Sequence, residues 1–483
     1  MIRKWCIVLF CLLSVACGLS PAYAGNDREH LQPVFHLLLA KTLHVSVLDS
    51  IVSPGGQVRV RLTHMPGNAD DWIGIYPAGA ANDWDSQVGW AWAPQNGSQT
   101  VTISIGNIQP GMYEARVFFN NSFELEGTCQ FLVYDSIAID RPVYSDAAGL
   151  PELVGGEYGC MGEHPVRLLS MANPWPQYTD QDRLRIDLYV PADVEGAKPV
   201  VFFISGWEQY DSARYRSFLY FIASQGYVCV FVPYTHPDPL SYRELLPTVL
   251  DGVVARFPSI IDTRKVGYVG HSEGGGFIYY LAKERPQWGT SGRFLFSIAA
   301  WWGFHLPGTG DVEYPVNTNL IVQVNHDDPG TDPRQNIDFL LNNNIPSERK
   351  TYLYLPGDAS HHADHGVVYS VLRNGFYTYD ALEQVGLYRP LEALMHYSFG
   401  DDDPKWKYIG LPDQDDANYN ILFSTNNIYV LSTDDPLGNI TVPIPPENDL
   451  TESYLCSKAA NPRWRMCMPC RDTPRDAPWQ PCQ

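Results

Sequence analysis

Three stretches of the chain carry groups capable of covalent chemistry. The first is Gly270-His271-Ser272-Glu273-Gly274, entered from the apolar Val266-Gly267-Tyr268-Val269 and followed by Gly275-Gly276. A GxSxG turn between a strand and a helix holds its serine in a strained conformation that lifts Oγ above the sheet. Small residues at Gly270 and Gly274 let strand and helix nearly touch. Ser272 also heads the helix that follows, whose unpaired amides and positive end favour an anion. A serine hydroxyl is a poor nucleophile at neutral pH until a base takes its proton and a carboxylate orients that base. The other two stretches supply both: Asn325-His326-Asp327-Asp328 after the apolar residues 320–324, and Gly357-Asp358-Ala359-Ser360-His361-His362-Ala363-Asp364-His365 after residues 351–355. Each group arrives where a strand should end, in the chain order Ser, Asp, His that this architecture uses.

Within each cluster the choice is open. Asp327 lies nearest the expected strand end and is preferred as the orienting acid; Asp332 reads as the N-cap of the next helix, and Asp328 falls on either side of the boundary. His361, directly after a short loop, is preferred as the base, with His362 and His365 as alternatives. A metal held by His361, His362, Asp364 and His365 is a competing reading, but it leaves the serine turn unexplained. A tetrahedral intermediate needs two donors aimed at its oxygen. The backbone amides of Glu273 and of Trp207, in Ser205-Gly206-Trp207 after the apolar residues 199–204, fit that need. The Glu273 carboxylate has no chemical role in this scheme and must be solvated or paired, for instance to an arginine.

These groups require a scaffold, and the sequence describes one. From residue 183 strands alternate with helices: continuous apolar runs such as Val200-Val201-Phe202-Phe203-Ile204, without polar alternation, indicate parallel strands covered on both faces. Repeated βα units then predict a doubly wound, mostly parallel sheet over residues 158–400. Residues 35–134 read differently. Short alternating stretches between 42 and 134, separated by Pro54-Gly55-Gly56, Pro66-Gly67-Asn68 and Pro110-Gly111, predict an all-β sandwich. Trp72, Tyr76, Trp84, Trp90 and Trp92 within it are candidates for a carbohydrate or polymer platform, against the plainer reading of core and edge packing. Residues 401–483 look irregular, with aspartate runs and Cys456, Cys467, Cys470 and Cys482, the cysteine density of a disulfide-stapled tail. The architecture is therefore multidomain.

The 483 residues exceed what one core supports. Residues 1–24 have the layout of a signal peptide: Arg3 and Lys4, an apolar run, then Ala22-Tyr23-Ala24. A secreted or periplasmic protein follows, with no later apolar run long enough to span a membrane. Cys229, inside an apolar run, reads as a small buried hydrophobe. A net charge of −21 disfavours nucleic acid and anionic lipid as partners. No cofactor or metal is needed, although a structural calcium ion is compatible with the acidic loops. The oligomeric state is not legible.

Residues 158–395 resemble an α/β-hydrolase of the carboxylesterase type, in the branch that contains bacterial polyester hydrolases, cutinase-like lipases, platelet-activating-factor acetylhydrolases and chlorophyllases. Gly270-His271-Ser272-Glu273-Gly274-Gly275 carries the likeness, with residues 320–328 and 352–362 and the stretch Phe202-Phe203-Ile204-Ser205-Gly206-Trp207. Asp-Asp-Trp-Ile-Gly-Ile-Tyr-Pro at 70–77 is similar to a motif of immunoglobulin-like modules attached to secreted bacterial hydrolases. The resemblance implies Ser272, His361 and Asp327 as a triad, and Trp301 or Trp302 flanking the substrate. With Trp207 and Tyr210 they favour an apolar or aromatic acyl ester, small or polymeric. Two departures stand out: Glu273 where a neutral residue is usual, and extra residues after Asp328. The reaction implied is ester hydrolysis through an acyl-enzyme. A peptidase or amidase uses the same machinery, and a non-catalytic surface- or polysaccharide-binding protein is the alternative of another class.

Overall fold

The computed structural model describes residues 42–146, 158–235 except 195, 242–301, 312–331 except 329, 340, 343–357, 361–400, 403–411, and the short pieces 422–423, 426–427 and 429–431. The expected leader, Trp302, Asp332 and the four tail cysteines lie outside the described residues.

Between residues 44 and 133 the alternation of the sequence becomes strand. Gln57–Met65 buries Val58, Val60 and Leu62 and turns Arg59 and Arg61 outward. A register shift after Leu62, where His64 takes φ 62°, returns Met65 to the inside. This strand joins His44–Val47 and Gly97–Ser104 in one sheet, while Ile51–Val52, Leu125–Val133, Gly111–Phe118, Trp72–Pro77 and Gly89–Trp92 form a second. Val58, Val60 and Ile103 from the first pack with Ile73, Ala115, Val117 and Phe131 from the second in a shared core. On the far side of the second sheet Trp72, Tyr76 and Phe118 bury one another. Two of the five candidate platform aromatics are thus packing residues. Trp84, Trp90 and Trp92 stay exposed, stacked edge to face rather than coplanar.

The central sheet has eight principal strands: β1 (Val166–Met171), β2 (Ile186–Pro191), β3 (Lys198–Ile204), β4 (Val228–Val232), β5 (Ile261–His271), β6 (Gly292–Ile298), β7 (Thr318–Asn325) and β8 (Lys350–Leu355). Their spatial order is β1-β2-β4-β3-β5-β6-β7-β8. β2 runs antiparallel to both its neighbours, and every pair from β4 to β8 is parallel. Both faces are dry. Helices α1 (Arg216–Ser224) and α4 (Arg389–Phe399) cover the side bearing Val201, Phe203, Cys229 and Phe231; α2 (Tyr242–Arg256) and α3 (Glu273–Glu284) cover the side bearing Val200, Phe202, Val228 and Val230. That is why these strands lack polar alternation, and Cys229 is the buried hydrophobe its context suggested. The guanidinium of Arg293, at the start of β6 and fully buried, donates to the carbonyls of Ala282, Arg285, Pro286 and Trp288, closing the carboxyl end of α3. This is the α/β-hydrolase arrangement that the sequence led us to expect.

The sheet is wider than expected at both edges. Ser136–Ile139 pairs antiparallel with β1, and Tyr429–Leu431 pairs antiparallel with β8. The segment expected to be irregular therefore adds a strand, and its Pro404–Gly410 is a helix whose Trp406 stacks on His396 of α4 at 4.2 Å. After β3 the chain turns to β4 on one side and then crosses to β5 on the other. The order of the strands reverses there, with α1 following β3 on one face and α3 following β5 on the other.

Candidate active site

Ser272 sits at that point, between the last residue of β5 and the first of α3. Its φ of 57° and ψ of −125° lie in a region that costs a non-glycine residue of order 1–3 kcal/mol and is held only where the surroundings over-determine it. The surroundings do so. A Cβ at Gly270 would lie 2.3 Å from the carbonyl oxygen of Gly274, and one at Gly274 would lie 2.3 Å from those of Ile204 and Ser205. The Ser272 amide donates to Ile298 at 3.0 Å, and its carbonyl accepts from Trp301 at 2.8 Å. The elbow is thus pinned to β3 and β6.

His365 reaches the serine. Its Nδ1 lies 2.8 Å from Asp328 Oδ2 and its Nε2 3.0 Å from Ser272 Oγ. An ionised carboxylate only accepts, so Nδ1 carries the hydrogen and Nε2 is the bare nitrogen that accepts from Oγ–H. Asp328 is almost fully buried and held firmly: Oδ1 accepts the Gly330 and Thr331 amides, and Oδ2 accepts the Thr331 hydroxyl at 2.5 Å. Burial pushes its carboxyl up, but the His365 bond and charge, the Thr331 hydroxyl and the Gly330 amide outweigh it, leaving the group below the usual carboxylate range. Together the three side chains can move a proton from Oγ to Nε2 and bear the charge that results.

The preferred candidates Asp327 and His361 stand elsewhere. Asp327 Oδ2 accepts the Ala363 amide at 3.2 Å, and His361 Nε2 lies 3.2 Å from Asp146 Oδ2. His362 is exposed. The reason is register. β7 and β8 pair up to Asn325 and Leu355, and their loops keep pairing beyond: His326 N–H donates to Leu355, Asp327 N–H to Ala363, and Asn325 Nδ2 to the Asp364 carbonyl. That ladder spends Asp327 and Ala363 on each other and brings Asp328, one residue on, and His365, two residues on, together at the serine. His361, four residues too early, is left beside Asp146, whose Oδ2 also accepts the Ala381 amide.

The other expected residues divide. The loop Ser205-Gly206-Trp207 lies against the nucleophile: a Cβ on Gly206 would be 3.4 Å from Ser272 Cβ. The Trp207 side chain is exposed, Trp301 is half-buried beside the elbow, and Tyr210 carries the Arg183 guanidinium over its ring at 3.9 Å. Glu273 differs from expectation. Its carboxyl is buried rather than solvated, and among the described residues it accepts the Tyr234 hydroxyl at 3.0 Å rather than pairing with an arginine. Burial pushes it up to about 7, with the Tyr234 bond opposing, so its charge is suppressed beside the nucleophile. His271 and Tyr215, which sequence reasoning passed over, bridge the loop after β3 to the His365 backbone. The only sequence signal for them is the place of His271 next to Ser272.

No family model matches the chain, and no curated protein matches it. Among solved structures it is similar to Est1E from Butyrivibrio proteoclasticus, at 12% identity and a TM-score of 0.29, covering 41% of this chain and 90% of that one. It is also similar to a hyperthermophilic esterase from the archaeon Pyrobaculum calidifontis, at 20% identity and a TM-score of 0.23, covering 31% of this chain and 50% of that one.

Proposed function

We propose that the chain is a serine hydrolase that cleaves carboxylic esters through an acyl-enzyme on Ser272. One observation carries the reading: a serine on a strained strand-to-helix elbow, 3.0 Å from the bare nitrogen of an imidazole whose other nitrogen is held by the buried Asp328. Oγ attacks the ester carbonyl carbon while its proton passes to His365 Nε2. The carbonyl oxygen becomes an oxyanion beside the amides of Glu273 and Trp207, and Asp328 stabilises the imidazolium. Collapse expels the alcohol with the proton from Nε2. Water then gives a proton to the same nitrogen, attacks the acyl carbon and releases the acid and free serine.

Exposed Trp207 on the loop beside the nucleophile and Trp301 bonded to the elbow favour an apolar or aromatic acyl group. The net charge of −21 disfavours anionic esters. Exposed Trp84, Trp90 and Trp92 favour contact with a polymeric ester surface through the N-terminal, immunoglobulin-like sandwich. Export to the periplasm or medium belongs to the same proposal, from the leader layout of residues 1–24.

A fluorophosphonate tests the nucleophile. Intact mass and peptide mapping should find a single adduct on Ser272, absent from Ser272→Ala, in a protein that turns over short nitrophenyl esters and leaves peptide anilides intact. An unlabelled, well-folded wild type with no esterase activity would end the reading, and turnover of anilides would move it to an amidase.

A further inference from the structure

His271 is completely buried at the last position of β5, directly before the nucleophile in the chain. Its Nε2 lies 2.8 Å from the backbone carbonyl oxygen of His365, and its Nδ1 lies 3.1 Å from the Tyr215 hydroxyl. A carbonyl only accepts, so Nε2 carries a hydrogen. Burial, and then the neighbouring His365, push this imidazole down to about 3, so it is neutral and Nδ1 is bare. Nδ1 therefore accepts the Tyr215 hydrogen. The tyrosine oxygen in turn accepts the Gly206 amide at 3.1 Å. All three bonds have a fixed direction, running from Gly206 N–H through the Tyr215 hydroxyl and the His271 ring to the His365 carbonyl.

The ends of this chain of bonds are the two loops the reaction must hold in register. Gly206 immediately precedes Trp207, whose amide is assigned to the oxyanion, and His365 carries the ring that takes the serine proton. The link has little room to shift. Tyr369 packs edge-on against both Tyr215 and His271, with ring centroids 5.2 Å from each, and Arg214 covers its other side at 3.9 Å. The Ser370 amide donates to the Arg214 carbonyl at 2.7 Å, tying the segment after His365 to the short 3-10 turn Ser212–Tyr215.

We propose that Tyr215 and His271 are positioning residues for the Ser272 reaction: they set the separation between the oxyanion loop and the His365 loop, so that both act on one tetrahedral centre. This rests on the Ser272–His365–Asp328 reading. Neither residue bonds to the reacting atoms, although the His271 ring packs on the His365 ring with centroids 4.8 Å apart. Their influence passes through Gly206, the His365 backbone and the packing of the two imidazoles, where a misplacement of about 1 Å can cost about a hundredfold in rate.

The test uses the full chain with Tyr215→Phe, His271→Leu, the double variant and His271→Gln, read by turnover of a nitrophenyl ester per fluorophosphonate-titrated site. Affinity for a trifluoromethyl ketone, which forms an oxyanion on Ser272, is measured alongside. Each of Tyr215→Phe and His271→Leu should lower kcat about ten- to a hundredfold with KM within about twofold, and weaken the ketone by the same ratio. The double variant should be no worse than His271→Leu, because one link can be broken only once. His271→Gln, whose amide N–H can reach the His365 carbonyl, should recover part of the loss. Wild-type kcat in Tyr215→Phe, costs that multiply in the double variant, or a fall confined to melting temperature and active-site titre would each overturn the link. Tyr215→Phe, with one oxygen removed at equal ring size, decides the matter alone if His271→Leu does not fold. A wild type that the phosphonate does not label at Ser272 would instead bring down the serine-hydrolase reading itself.

Discussion

Replacing Glu273 with glutamine removes a carboxyl that is 3 % exposed and that, among the described residues, accepts the Tyr234 hydroxyl. Gln keeps an oxygen for that hydroxyl and cannot ionise, and the two N–H donors it adds shift stability equally at every pH. In the folded protein the carboxyl is pushed from 4.5 up to about 7 by burial. The folded state thus holds its proton more tightly than the unfolded chain, and stability falls as pH rises through the window between those two values. The whole difference corresponds to ~3 kcal/mol at ~1.4 kcal/mol per pH unit, and ~2.5 kcal/mol of it develops between about pH 5 and about pH 8. Other groups titrate alike in both proteins, so the quantity to follow is the melting temperature of the variant minus that of the wild type. It should rise by ~5–10 °C between about pH 5 and about pH 8 for a domain of this size. A difference that stays flat, or falls, would mean that Glu273 is ionised at an ordinary value beside the nucleophile, and the account of its suppressed charge would fail.

His365→Ala should lower kcat at least ~1,000-fold while His361→Ala stays within about tenfold, since of the two it is His365 that reaches Oγ; equal losses in steady-state assays would refute the geometry. Asp328→Asn should cost at least ~100-fold in kcat with little change in KM, and Asp327→Asn much less. Gly274→Ala drives a methyl to 2.3 Å from the Ile204 and Ser205 carbonyl oxygens and should destabilise the fold by ~3 kcal/mol or more, seen as a lowered melting temperature or loss of soluble protein.

The position of the Ser272 turn was legible because its determinants are local. A strand, a turn with glycines at its two tight contacts, and a helix all lie within residues 261–284. The parallel sheet was legible for a related reason: strands covered on both faces must be apolar throughout, and Val200-Val201-Phe202-Phe203-Ile204 has no polar face to offer. Alternation likewise marked Gln57–Met65 as half-buried strand. Residue type could not tell Trp72, which is buried, from Trp90, which is not, because the outer face of that sheet is covered by Phe118 from another strand.

The sequence by itself determined the chemistry on offer: a serine elbow, an acidic turn and a histidine loop, in order and each at a strand end. Which aspartate and which histidine meet the serine was decided only in three dimensions. The partners come from loops after β7 and β8, and a hydrogen-bonded register between residues 325–327 and 355–364 sets their alignment. Counting from the strand end favours the nearest side chain, Asp327 or His361. The register consumes those positions in backbone pairing and in the Asp146 contact, and delivers Asp328 and His365 instead. Side-chain identity is written one residue at a time, whereas the distance between two side chains depends on every bond in the ladder that joins their strands.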